Sequence, residues 1–171
     1  QSGVDVMEGY MIIGEEVRKQ LSPYNLNQIT HVFLQAGVGG FAAAIALSLR
    51  KFLRKDAQII VVEPSQAKTL FLSLQNEKPS IAEGQVSIMG RLDCKEPSWS
   101  ALYSLSKTTN YFMHLEDDYV EKKLNFINDF GITTSPSGGA GIIGLIYATE
   151  NQLFNMNKDS SPLVFLTEGK I

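Results

Sequence analysis

Residues 31–50, HVFLQAGVGGFAAAIALSLR, constrain this chain more than any other stretch. A short apolar run, Val32-Phe33-Leu34, ends at Gln35, then Ala36-Gly37-Val38-Gly39-Gly40 leads into an alanine-rich apolar run. That order reads as a strand, a glycine turn and a buried helix. Glycines permit φ > 0 and leave consecutive N–H groups unscreened by a Cβ. With the positive end of the following helix, those groups suit an anion, most often a phosphate. The same glycines would also serve an ordinary βα turn in which helix and sheet pack closely.

The rest of the chain continues the alternation of strand and helix. Residues 1–21 carry apolar side chains at helical spacing (Val6, Met7, Tyr10, Met11, Ile13, Val17), and Ser22-Pro23-Tyr24-Asn25 forms a turn. The helix after the glycines extends over 40–52. A β-branched strand over 58–62 is closed by Glu63-Pro64, and Ser65 caps a helix running to Leu74. A third strand is expected over 86–89, a helix capped by Ser98 through Leu105, and a strand over 111–115. Asp117 or Asp118 opens a helix bearing Val120, Leu124 and Ile127, which Gly131 ends. A Ser/Gly loop over 133–139 precedes an apolar helix over 140–149, and the last strand spans 163–166.

Strands that are continuous apolar runs between helices predict an α/β fold: an open, mostly parallel sheet with helices on both faces. The 171 residues suit a single domain, and 44% hydrophobic content is enough for a real core. A net charge of −3 with scattered basic residues gives no bulk attraction to nucleic acid. Cys94 is the sole cysteine, which excludes an internal disulfide and fits a reducing, cytoplasmic setting; no signal peptide is visible. The apolar stretch 32–49 is broken by Gln35 and three glycines, so no membrane span is expected.

In parallel sheets ligands bind where strands end, so the glycine turn, Glu63, the loop after Met89 and Thr167 are expected on one rim. Two cofactors compete for it. Gly37-x-Gly39-x-x-Ala42 with Glu63 closing the next strand satisfies the dinucleotide fingerprint. However, Pro64 directly follows the acid, and the fingerprint leaves Thr167-Glu168-Gly169 and the second Ser/Gly loop unexplained. Pyridoxal phosphate explains more, since it needs a phosphate cradle and a partner for its ring nitrogen at another strand end.

Gln35-Ala36-Gly37-Val38-Gly39-Gly40, Val62-Glu63-Pro64, Gly90-Arg91-Leu92-Asp93-Cys94, Ser135-Pro136-Ser137-Gly138-Gly139-Ala140-Gly141 and Leu166-Thr167-Glu168-Gly169 occur in a telling order and spacing. In this the chain resembles the tryptophan synthase β-like, fold type II pyridoxal-phosphate enzymes, and within them the diaminopropionate ammonia-lyases. Met7-Glu8-Gly9-Tyr10 is similar too, and the resemblance covers nearly the whole chain. It implies a lyase that removes ammonia from a small amino acid, 2,3-diaminopropionate, by α,β-elimination to pyruvate. It implies that Gly37, Val38, Gly39 and Gly40 hold the cofactor phosphate and that Thr167 faces the pyridine nitrogen. The parent enzyme is expected to be a homodimer. A threonine/serine dehydratase-like enzyme, a non-catalytic phosphate- or nucleotide-binding domain and an NAD(P)-binding domain are the alternatives.

By the same resemblance, the lysine that forms a Schiff base with the cofactor belongs to an earlier segment, and no lysine here has its context. The chain is therefore expected to be the carboxyl-terminal, cofactor-binding portion of a longer enzyme, with no catalytic residue of its own. Lys95 stands where the family usually has glycine, and Ser137 where some members carry an acid. His31 and His114 are expected to be structural, Cys94 a small buried hydrophobe, and Asp117-Asp118 a helix start. Glu63 matches an acid that binds a divalent metal in related racemases, but the usual second ligand position is Thr69 here, so no metal is expected.

Overall fold

The computed structural model describes residues 2–21 and 26–169; the turn expected at 22–25 lies outside them. After α1 (Ser2–Leu21) the chain runs through β1 (His31–Gln35), α2 (Gly40–Leu49), β2 (Gln58–Pro64), α3 (Thr69–Gln75), α4 (Trp99–Thr108), β3 (Tyr111–Leu115), α5 (Asp117–Asp129), α6 (Ala140–Glu150) and β4 (Pro162–Val164). The four strands form one parallel sheet in the order β3-β2-β1-β4. His31 sits opposite Gln58 on one side and Pro162 on the other, which aligns the carboxyl ends of β1 and β2.

Alternation along the strands divides the core. Val32, Leu34, Ile59 and Val61 face α1, α2 and α4, whereas Phe33, Ile60 and Val62 face Val120 of α5 and Ile143 and Ala148 of α6. Coverage of both faces explains why β1 is buried throughout and why its centre, Val32-Phe33-Leu34, is apolar without a break. α2 is sandwiched between the sheet and α1 and α4, and Ala42 through Ala46 are fully buried. A helix closed in on all sides must be apolar all round, and its alanines keep both contacts short.

Several boundaries differ from the sequence reading, each for a local reason. Residues 86–89 form no strand. Val86 is 84% exposed and Ile88 46%, and the place beside β2 belongs to β3. It is Ser87 and Met89 that turn inward, and Asp117 pins the segment by accepting from Ser87 Oγ (2.6 Å) and Ile88 N (3.0 Å). The last strand stops at Val164 rather than 166, because the next carbonyl, Phe165 O, accepts from the Gln35 side chain. α2 ends at Leu49, where Lys51 N and Phe52 N bond back only three residues. Ser65 opens a short 3-10 turn instead of capping α3, and Ser98 makes no side-chain cap. The Asp117 helix start and the left-handed Gly131 that follows the helix are as expected.

Candidate active site

The glycine turn follows β1 and feeds α2. Gly39 takes φ +97°, a left-handed conformation that an L side chain resists, and this redirects the chain into the helix. The first-turn amides of α2 have no intrahelical acceptor and sit at the positive end of its dipole. Gly37 is small for a different reason. A Cβ there would lie 2.9 Å from Cys94 Sγ and 3.1 Å from Arg91 O, so its absence lets segment 91–94 close against the turn. At Gly40 the nearest atom to a built Cβ is Met7 Cγ at 4.0 Å, and the space above the turn is open.

That space belongs to a cleft of about 710 Å³. Gly37, Val38, Gly39, Gly40 and Thr167 all line it, so the structure brings together every cofactor-binding residue expected from the sequence. The sequence reading gave no role to Gln35, Arg91 or Glu168, which also line it. Gln35 Nε2 donates to Phe165 O and Thr167 Oγ1 (3.1 Å each) and more weakly to Gly138 O (3.4 Å). Arg91 Nε lies 2.9 Å from Glu168 Oε1, while Ser135 Oγ donates to Glu168 Oε2 and Thr134 Oγ1 to Glu168 O. The second Ser/Gly loop thus holds the strand-end segment that presents Thr167. The two departures from the family pattern are struts: Ser137 Oγ accepts from Arg91 N, and Lys95 Nζ donates to Gln66 O, Gln85 O and Asp93 Oδ1.

Three expectations need correction. Glu63 is not on the rim. It shares strand parity with Ile59 and Val61, is fully buried, and accepts from Leu70 N (2.8 Å) and Phe71 N (3.1 Å), capping α3 from across a turn. With both oxygens so engaged it cannot serve a dinucleotide ribose, which counts against the NAD(P) alternative. Burial raises its pKa to about 8, against the pull of those two amides. Cys94 is half-buried in the cleft wall rather than a core hydrophobe. Thr167 lies three residues beyond β4, held by Gln35 and by a long bond from its own N–H to Gly138 O (3.5 Å).

Neither histidine lines the cleft. His31 Nε2 donates to Phe154 O, which can only accept, so Nδ1 accepts from Thr30 Oγ1. His114 stacks edge-on to Phe71 and stands 3.8 Å from Glu63 Oε2; burial lowers its pKa to about 4. Among the described residues no group of three or more His, Cys, Asp and Glu is placed to hold a metal ion. Among them, too, no helix is long and apolar enough to cross a membrane.

The glycine turn after β1 and Thr167, three residues beyond β4, line one cleft in an open parallel α/β fold of the tryptophan synthase β-like kind. The chain belongs to the pyridoxal-phosphate-dependent enzyme family, whose model matches residues 1–168. It is 31% identical to diaminopropionate ammonia-lyase of Salmonella typhimurium over 96% of this chain and 45% of that protein. The Escherichia coli diaminopropionate ammonia-lyase structure in complex with D-serine superposes with a TM-score of 0.75 at 26% identity, covering 95% of this chain and 44% of that one. The processed threonine deaminase isoform 2 of Solanum lycopersicum gives 0.84 at 20% identity over 96% of this chain and 46% of that chain, a likeness of fold. The chain spans about half the length of the relatives it matches.

Proposed function

We propose that this chain supplies the cofactor cradle of a pyridoxal-phosphate-dependent ammonia-lyase that acts by α,β-elimination on a small amino acid, 2,3-diaminopropionate. The observation that carries the reading is a hydroxyl, Thr167, lining the same cleft as the glycine turn. The first-turn amides of α2, with Gly37, Val38, Gly39 and Gly40 around them, would hold the phosphate. Thr167 would donate to the pyridine nitrogen. When bound, pyridoxal phosphate supplies an electron-withdrawing ring that stabilises negative charge at the substrate α-carbon. Thr167 modulates that ring, because a hydroxyl is too weakly acidic to give up its proton as a carboxylic acid would. Such a partner suits elimination, in which the leaving group relieves the charge early. Arg91 and Glu168, paired across the cleft, fix the segment on which Thr167 rides.

The lysine that bonds the cofactor would come from another segment of the parent enzyme, which we take to be a homodimer. The test expresses this chain with the coding sequence upstream of Gln1 and assays ammonia release from 2,3-diaminopropionate, serine and threonine. Cofactor-dependent release fastest from 2,3-diaminopropionate is expected. A preference for serine or threonine would make the parent a dehydratase, and NADH binding in place of pyridoxal phosphate would remove the reading.

A further inference from the structure

Gln35 is almost wholly buried at the carboxyl end of β1. Its amide orientation is fixed by chemistry. Phe165 O and Gly138 O are carbonyl oxygens and can only accept, so the group facing them is Nε2. The same NH2 meets Thr167 Oγ1 at 3.1 Å, and there too it must donate. Thr167 Oγ1 is therefore an acceptor toward Gln35, and its single proton is left to point elsewhere.

The opposite end of the amide supports this assignment. Gln35 Oε1 is buried without a hydrogen-bond partner. A Cβ built on Gly141 would lie 2.7 Å from it, so Oε1 occupies a slot that exists because residue 141 has no side chain. That slot is the first turn of α6, whose positive end favours an oxygen over an NH2. Two carbonyls and the α6 dipole set the amide one way round, in a slot that Gly141 leaves open.

We propose that Gln35 is a positioning residue: by donating to Thr167 Oγ1 it commits the Thr167 hydroxyl to act as a donor into the cleft, toward the pyridine nitrogen of the cofactor. This rests on the cradle reading above. The consequence is a fixed direction for one proton.

The test uses this chain expressed with the coding sequence upstream of Gln1, freed of its own cofactor, and pyridoxine 5′-phosphate labelled with 15N in the ring, a probe with no aldehyde to react with lysines. Phosphorus NMR reports whether the phosphate is seated, and the ring 15N shift reports the hydrogen bond to nitrogen. Gln35→Glu places an acceptor oxygen where Nε2 was, so the Thr167 hydroxyl should turn to it. The ring signal should then match that of Thr167→Val, the phosphate signal should persist, and affinity should fall about threefold to tenfold. In a Thr167→Val background, Gln35→Glu should have no further effect on the ring signal. Gln35→Met, which keeps length without donor or acceptor, should shift the ring signal the same way by less, and it decides the matter if the glutamate variant does not fold. A seated phosphate with the wild-type ring signal in a folded Gln35 variant overturns the inference. No phosphate signal change with the wild-type chain would instead overturn the cradle reading, and the inference with it.

Discussion

Gly39 offers a test in which shape and chemistry separate. A valine there would seem to block phosphate by filling the cradle, but a Cβ on Gly39 points away from the cleft. It would lie 3.0 Å from Ala101 Cβ and 3.0 Å from Leu70 Cδ2, in the core between α2, α3 and α4. Gly39→Ala therefore acts on the fold. Holding an L residue at φ +97° costs about 1–2 kcal/mol. Pushing back Ala101 and Leu70 adds about 1–2 kcal/mol of overpacking. Restriction of the unfolded chain by alanine returns roughly 0.5–1 kcal/mol. The net expectation is a loss of about 2 kcal/mol, read as a lower urea midpoint at unchanged m-value by circular dichroism. In the protein that remains folded, affinity for pyridoxine 5′-phosphate should stay within about twofold, because no ligand-facing amide is removed. A loss below about 0.5 kcal/mol, or lost binding at full stability, would refute this placement of Gly39.

Titration of the Glu63–His114 pair gives a pH signature. Glu63, raised from 4.5 to about 8, keeps a proton in the fold that the unfolded chain releases, so its contribution falls as pH rises from 4.5 to 8. His114, lowered from 6.5 to about 4, works oppositely, its contribution being lost as pH falls from 6.5 to 4. The two slopes oppose each other up to 6.5, so urea midpoints should decline with pH mainly between about 6.5 and 8; Glu63→Gln should flatten that decline, and an unchanged slope would refute the burial argument. Lys95→Met removes three hydrogen bonds, to Gln66 O, Gln85 O and Asp93 Oδ1, and should cost about 1–3 kcal/mol in urea unfolding. Thr167→Val should weaken pyridoxine 5′-phosphate by roughly threefold to tenfold while leaving the melting temperature near that of wild type; an equal affinity would make Thr167 structural.

The sheet was legible because strands buried on both faces must be apolar throughout, as residues 32–34 and 59–62 are. The misplaced strand at 86–89 shows the limit of counting apolar residues. Val86 and Ile88 are the pair that faces water, and a backbone anchored by Asp117 needs no sheet partner. Glu63 sits near a strand end, which suggests the rim, but its parity with Val61 turns it to the other side and sends it toward α3. For the site, the glycine turn and Thr167 were visible as motifs. Gln35 was hidden in plain view, since a lone glutamine ending a strand has a role only once the partner 132 residues away is known.

The walls of the cleft come from four places in the chain: Tyr10 and Ile13, residues 35–41, Arg91, Leu92 and Cys94, and residues 165–168. No local stretch holds more than one of them, so the cleft exists only when the whole molecule is assembled. A ligand bound there is coupled to the global folding equilibrium and not to the opening of one loop. At a free concentration one hundred times its dissociation constant it would add about 2.7 kcal/mol to stability. That is a sizeable fraction of what a domain ordinarily has. The apoprotein should therefore be more readily degraded than the loaded form at every proteolytic site that requires unfolding, including sites far from the cleft.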